Sequence, residues 1–199
     1  MAVPRGTTPP NLPIAPNQYD RRYQDSLTNV LRLFLAQISN RLNSPIPHAS
    51  YYDTTTQTNP VANTVNLFTF NTVETEFQIS RGVPTSKIFV NDTGIYNFQF
   101  SAQLDKTGGS ASTVYIWPRI NGVNVPYSTT KIVIDGPNAE VVPAWNFVLL
   151  MTAGDYFELA WQSSDIAVVI LAEAAASNYP AIPSIIMTVT WVSNDEANQ

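Results

Sequence analysis

The chain has 199 residues, of which 44% are hydrophobic and only 13% charged, so it can form one ordinary domain plus an appendage with unusually neutral surfaces. The absence of cysteine and the single histidine exclude disulfides, thiolate metal sites and most metal and triad chemistries. The charge is unevenly distributed along the chain: residues 1–50 carry five Arg against two Asp, whereas residues 51–199 carry five Lys or Arg against thirteen Asp or Glu. The acidic excess of the larger part argues against nucleic-acid binding.

The first predicted element is an extended arm, Met1–Pro16. It holds five of the fifteen prolines, and proline fixes φ and lacks an amide hydrogen, so neither a helix nor an inner strand fits. Leu12 and Ile14 give the arm apolar points for docking on another surface, and a disordered tail is the alternative. The arm does not resemble a secretory signal. The longest apolar run, Ile166–Ala172, is far short of a membrane span, so no membrane insertion is expected.

The second predicted element is an amphipathic helix within residues 17–45, with Asn17 as its N-cap and Asp20 in its first turn. Apolar residues recur at steps of three and four and trace one helix face. These residues are Tyr23, Leu27, Val30, Leu31, Phe34, Leu35, Ile38 and Leu42. A stripe this wide needs a partner, either the following domain or copies of the same helix. Arg21, Arg22, Arg32 and Arg41 decorate the helix, either to pair with an acidic particle surface or as a solvated face.

Residues 46–199 are predicted to form an antiparallel β-domain. Turn signals such as Asn121-Gly122 and Ala153-Gly154-Asp155 separate about eight apolar segments. The predicted strands are Val65–Phe70, Lys87–Asn91, Ile95–Leu104, Val114–Ile120, Val141–Leu150, Tyr156–Ser163, Ala167–Leu171 and Ile185–Val192. Strict alternation in Ile95–Leu104 indicates a sheet with one polar face. The fold class is therefore mainly β, an antiparallel jelly-roll sandwich preceded by a Pro-rich extended arm and one long helix.

Several segments of the β-domain, taken in their order along the chain, resemble segments of the jelly roll shared by tumour necrosis factor and the complement globular head. They are Gly94-Ile95-Tyr96-Asn97-Phe98, Ile120-Asn121-Gly122, Leu149–Leu159 with its Gly154-Asp155 turn, and Pro183–Ile186 leading to Thr190. The resemblance spans about Lys87–Val192 and implies a threefold trimer. It lacks a convincing acidic cluster for Ca²⁺, so no metal and no cofactor are expected.

The helix resembles the N-terminal helix of small virion proteins of marine and cyanobacterial tailed phages. The residues that carry this resemblance are Tyr19-Asp20-Arg21-Arg22-Tyr23, then Asn29–Phe34, then Gln37-Ile38. This resemblance covers Pro16–Asn43 and implies that a β-rich head follows an anchoring helix. It implies a place in the virion, assembled in the host cytoplasm, with residues 1–45 bound to other virion proteins of the capsid, neck or tail.

The residues expected at the anchoring or trimer interface are large and apolar, because such side chains are favoured in obligate interfaces. They are Leu12, Ile14, Tyr23, Leu27, Leu31, Phe34, Ile38, Tyr96, Phe98 and Tyr156. The alternative for the β-domain aromatic residues is the core of a single subunit. Tyr127 and Trp161, each followed by a polar residue, are candidates for stacking on a host surface polysaccharide, with burial as the alternative for Trp161.

No constellation predicts catalysis. His48 has no second histidine or cysteine to join it and is interpreted as a linker residue. Asp155 and Glu158 stand three apart on a strand and point to opposite faces, so they do not form a glycosidase pair. The sequence therefore favours a non-enzymatic virion structural protein, a trimeric capsid decoration, head fibre or tail appendage. The alternative is a receptor-binding trimeric knob of a tail fibre.

Overall fold

The computed structural model describes residues 10–42 and 45–194, and the chain divides into two compact units, Met1–Pro45 and Ile46–Gln199. The first nine residues of the predicted arm lie outside the described part, and its residues 10–16 form neither helix nor strand. The mainly β fold with one N-terminal helix, predicted from the sequence, is confirmed.

The helix, α1 (Arg21–Leu42), begins later than predicted. The assignment of Asn17 as N-cap was wrong, because Asp20 has that role: its Oδ1 accepts a hydrogen bond from the Arg22 amide at 2.8 Å. The Gln24 amide donates to the Asp20 carbonyl, which starts the helical ladder. With 22 residues, the helix is about 33 Å long at ~1.5 Å per residue.

The second unit consists of short and long antiparallel strands. In chain order these are β1 (His48–Asp53), β2 (Gln57–Thr58), β3 (Asn66–Leu67), β4 (Thr72–Phe77), β5 (Ile79–Arg81), β6 (Ile88–Val90), β7 (Gly94–Ala102), β8 (Leu104–Lys106), β9 (Ser112–Ile120), β10 (Val123–Asn124), β11 (Thr130–Ile134), β12 (Glu140–Val141), β13 (Ala144–Met151), β14 (Tyr156–Ser163), β15 (Val168–Ile170) and β16 (Ile185–Ser193).

Two sheets face each other across the core. Sheet 1 has the strand order β13-β7-β16-β1-β4, and sheet 2 has the order β10-β9-β14-β6-β5, with β11 also paired to β9 and β3 to β14. A small third sheet, β12-β8-β15-β2, is joined directly to sheet 1 along the chain, since β8 follows β7 after one residue.

The pairing of the main strands follows a jelly-roll pattern. Strand β1 pairs with β16, β6 with β14, β7 with β13, and β9 with β11, all antiparallel. Among these eight strands the first therefore pairs with the last, the second with the second last, and so on inward. One long folded hairpin wraps into two sheets in this way, as in the double Greek key of a jelly roll.

Aromatic side chains fill the space between the sheets. Phe98 of sheet 1 stacks on Phe157 of sheet 2 with ring centroids 4.0 Å apart, and Phe68 packs against Trp161 at 5.9 Å. All four side chains are at most 1% exposed. Full burial of each of these phenylalanine rings stabilises the fold by about 1.5–3 kcal/mol.

Strand prediction succeeded for some strands of the β-domain and failed for others. Strand β14 has the predicted bounds, Tyr156–Ser163, whereas β1, β4 and β11 were not predicted. His48 was assigned wrongly to a linker, because it is the first residue of β1 and pairs with Thr190.

Candidate functional site

The structure separates the predicted interface residues of the β-domain into two groups. Tyr96 and Phe98 are 0% exposed and belong to the core between the sheets, so their assignment to a subunit interface was wrong. The Tyr96 hydroxyl donates to the Asp92 carbonyl at 2.7 Å, and burial raises the pKa of Tyr96 to about 12. Tyr156 is half-buried, with the Lys87 ammonium 4.3 Å from the centre of its ring, and its interface role stays a prediction.

The two predicted glycan contacts also differ. Trp161 is 1% exposed, packed inside the sandwich against Phe68, and therefore cannot stack on a sugar. Tyr127 is fully exposed and has a φ of +59°, a left-handed conformation that is uncommon for a bulky residue. The loop after β10 thus presents an aromatic ring entirely to solvent.

The outward surface of β7, β13 and β16 in sheet 1 carries no charged side chain. We call it the neutral face, and its residues are Ile95, Asn97, Gln99, Ser101, Ala144, Asn146, Val148, Leu150, Ile186, Thr188, Thr190 and Val192. The strand register places Asn97 between Val148 and Thr190, and Gln99 between Asn146 and Thr188. The face is therefore a continuous patch of amide, hydroxyl and aliphatic groups.

Aliphatic side chains are well exposed on the neutral face. Val148 is 59%, Leu150 53%, Val192 54% and Ile186 41% exposed. Leu150 lies opposite Ile95 in the register, which gathers apolar surface at one end of the face. Exposed apolar patches rimmed by polar groups mark interaction surfaces.

The opposite sheet has a different outer surface. Lys131 of β11 is exposed there, and Arg119 of β9 lies 3.8 Å from Glu158 of β14. Val133 of β11 is about as exposed as Val148, at 55%, but it lies two residues from Lys131 on the same strand face. The depletion of charge that is typical of interface cores is thus a property of the neutral face and not of the outer surface around β9 and β11.

Strand β13 forms one edge of sheet 1 and, within the part of the chain that the structure describes, pairs with β7 alone. Its eight residues contain neither a charge nor a proline. Natural proteins usually protect a long edge strand with lysine, proline or a bulge, because its free backbone groups otherwise pair with another chain. Strand β13 therefore presents an unprotected edge next to the neutral face.

Sequence reasoning missed the neutral face because it concentrated on aromatic residues. A signal was present, since β7, β13 and β16 contain no Asp, Glu, Lys or Arg on either face. A strand needs apolar residues only on its buried side, so the lack of charge on the other side as well is a pattern that could have been seen in the sequence.

The arm and helix also expose apolar side chains. Ile14 is 94% and Leu12 48% exposed. On α1, a half-buried stripe comprises Tyr23, Leu27, Val30, Phe34 and Ile38. Leu31 lies on the same helix face but is 39% exposed, and Leu33 and Leu35 are 59% and 62% exposed. The predicted interface residues of this unit thus include apolar groups that remain open to a partner, and that role stays a prediction.

The acidic residues considered for catalysis make separate structural contacts. Asp155 orders its turn, because its carboxylate accepts hydrogen bonds from the Thr152 amide at 2.8 Å and the Asn121 side chain at 2.7 Å. Glu158 is buried and contacts Arg119 and the Ser86 hydroxyl. Within residues 10–42 and 45–194, no group of three or more potential metal ligands comes together.

No helix in the described ranges combines the length and the apolar character needed to cross a membrane. The sequence matches none of the known protein-family models, and no curated protein matches it.

Proposed function

We propose that this protein is a bacteriophage virion structural protein, a trimeric jelly roll anchored to the particle by its N-terminal arm and helix. It acts as a capsid decoration, head fibre or tail appendage, and its work is to bind rather than to catalyse. The observation that carries the proposal is the uncharged, partly aliphatic neutral face beside the unprotected edge of β13.

Self-association is the simplest way to cover this surface. A neutral face has no charges to desolvate, so copies of the chain can bury it without the several kcal/mol that each unpaired ion costs. A closed ring also leaves no edge free to recruit more copies, which prevents fibre formation. The trimer implied by the resemblance to the tumour necrosis factor jelly roll satisfies both requirements.

Anchoring is assigned to residues 1–45. The N-terminal part of the chain carries a net positive charge, whereas the β-domain is acidic. The exposed aliphatic groups of the arm and α1, such as Ile14 and Leu33, supply apolar contact area. The basic N-terminal unit with its exposed apolar groups is thus the part proposed to bind the particle. The acidic β-domain, which carries the neutral face, is the part proposed to project from it.

The virion role is tested by immunogold labelling with an antibody raised against the β-domain. Lysates of the cells that produce this protein are expected to contain phage particles that carry the gold label at regular positions on their surface. Label confined to cell debris, with unlabelled particles in the same field, would contradict the proposal.

A receptor-binding knob is the second candidate, and the exposed ring of Tyr127 favours it. A left-handed tyrosine costs conformational energy, and such strain is concentrated at functional sites. Stacking of sugar rings on an exposed aromatic side chain is a familiar mode of glycan binding, with polar neighbours in sequence such as Asn124 and Ser128.

If the knob binds polysaccharide, Tyr127→Ala is expected to weaken binding about tenfold or more, which corresponds to ~1.4 kcal/mol. Glycan-array binding of the full chain measures this, with Tyr179→Ala as the control, since Tyr179 is an exposed tyrosine elsewhere on the domain. Equal binding by both variants, or no binding by the wild type, would remove the support for this second function.

A further inference from the structure

An open groove of about 450 Å³ lies beside the start of β16, within the size range of typical ligand sites of ~300–1,000 Å³. Its lining comes from β1, β4, β16 and the segments next to them. The lining residues are Tyr52, Thr54, Glu74, Glu173, Pro180, Ala181, Ile182, Pro183 and Ile186.

The walls of this groove are apolar and its charges are negative. Tyr52, Ile182 and Ile186 provide aromatic and aliphatic surface, while Glu74 and Glu173 are exposed carboxylates. The Ser50 hydroxyl donates to Glu74 at 2.7 Å, and two backbone hydrogen bonds between Glu173 and Ile182 fix the other side. Among the described residues, the lining includes no lysine or arginine.

A groove with aromatic and proline walls and an acidic rim suits an extended proline-rich peptide with a nearby basic residue. The chain itself contains such a peptide. Pro10, Pro13 and Pro16 are spaced by three, which places them on one side of a polyproline II helix with about three residues per turn. Ile14 between them is 94% exposed. Arg5 is the sole charged side chain of positions 1–16 and complements the two glutamates.

We propose that the groove receives the segment Pro10–Pro16 of a second copy of this chain. The inference rests on the proposed trimer, because Ile186 belongs to both the groove and the neutral face, and Tyr52 lies directly opposite it in the register. The groove thus continues the proposed contact between copies. Exchange of arms then ties the subunits together beyond the contact of their neutral faces.

The absence of cysteine allows a direct test. The double variant Ile14→Cys with Ala181→Cys, treated with a short bismaleimide, is expected to give covalent dimers and trimers on a denaturing gel, because Ala181 lines the groove, is exposed and lies outside the neutral face. The control is Ile14→Cys with Val133→Cys, because Val133 is exposed on the sheet opposite the groove. Cross-linking in the control should be much lower. Higher salt should reduce the yield of the first variant, since it screens the attraction between a basic arm and the two glutamates.

The oligomeric mass of the same samples distinguishes the possible failures. A trimer in which the first double variant cross-links no better than the control overturns the proposal that the arm binds in the groove and leaves the proposed trimer intact. A cross-link found solely within single chains overturns the exchange between copies. A monomeric sample overturns both the inference and the proposed trimer.

Discussion

Gly94→Ala is expected to lower the free energy of unfolding by about 1–3 kcal/mol, the usual cost of overpacking. A Cβ atom at Gly94 would lie 2.4 Å from Nε1 of Trp191 and 2.7 Å from the backbone carbonyl oxygen of Ser193. The carbonyl cannot rotate away like a flexible side chain, because it belongs to β16, which pairs with β7 at this point. Thermal unfolding monitored by circular dichroism measures the loss as a fall in Tm.

The matched control for this substitution is Gly108→Ala. A Cβ at Gly108 would meet nothing within 4 Å, so its effect on Tm should be small. Equal Tm values for Gly94→Ala and the wild type would contradict the close packing of β7 on β16. The packing also explains physically why the Gly-x-Tyr-x-Phe segment begins with glycine: the indole of Trp191 occupies the space that a side chain would need.

Val148→Lys is expected to raise the dissociation constant of the proposed trimer about a hundredfold or more. Val148 is well exposed on the neutral face, so the subunit itself should fold normally. In the proposed assembly, each copy would bury an unpaired ammonium, which costs several kcal/mol, and the charges of neighbouring subunits would repel each other. Sedimentation of a dilution series measures the change.

Val133→Lys is the control, because Val133 is similarly exposed and lies on the outer surface of sheet 2, on the same strand face as Lys131. This variant should associate like the wild type. Equal weakening by both substitutions would mean that the added charge acts through stability or solubility rather than through the neutral face. No weakening by Val148→Lys would place the interface elsewhere.

The sandwich could be predicted from the sequence because its strongest strands alternate clearly. Tyr96, Phe98 and Phe100 lie on one face of β7 and polar residues on the other, as a half-buried strand requires. Strand β1 was missed because its buried positions include Asp53, which is 1% exposed and accepts hydrogen bonds from Thr55 and Thr69. A buried carboxylate satisfied by threonines cannot be distinguished in a sequence from a loop aspartate.

The candidate interface was harder to predict than the fold. Large aromatic residues fit equally well between two sheets or between two subunits, and only the packing of Phe98 on Phe157 shows which applies. The same ambiguity between burial and exposure applies to Trp161, which is buried, and to Tyr127, which is exposed. Local sequence does not contain this information, because exposure depends on contacts distant in the chain.

Sedimentation equilibrium of the full-length protein at micromolar concentration tests the central claim most directly. The chain has a mass of 21.9 kDa, and the proposed trimer predicts a species of three times that mass. A single species of 21.9 kDa would contradict the trimer, and with it the interpretation of the neutral face and of the free edge of β13 as contacts between copies.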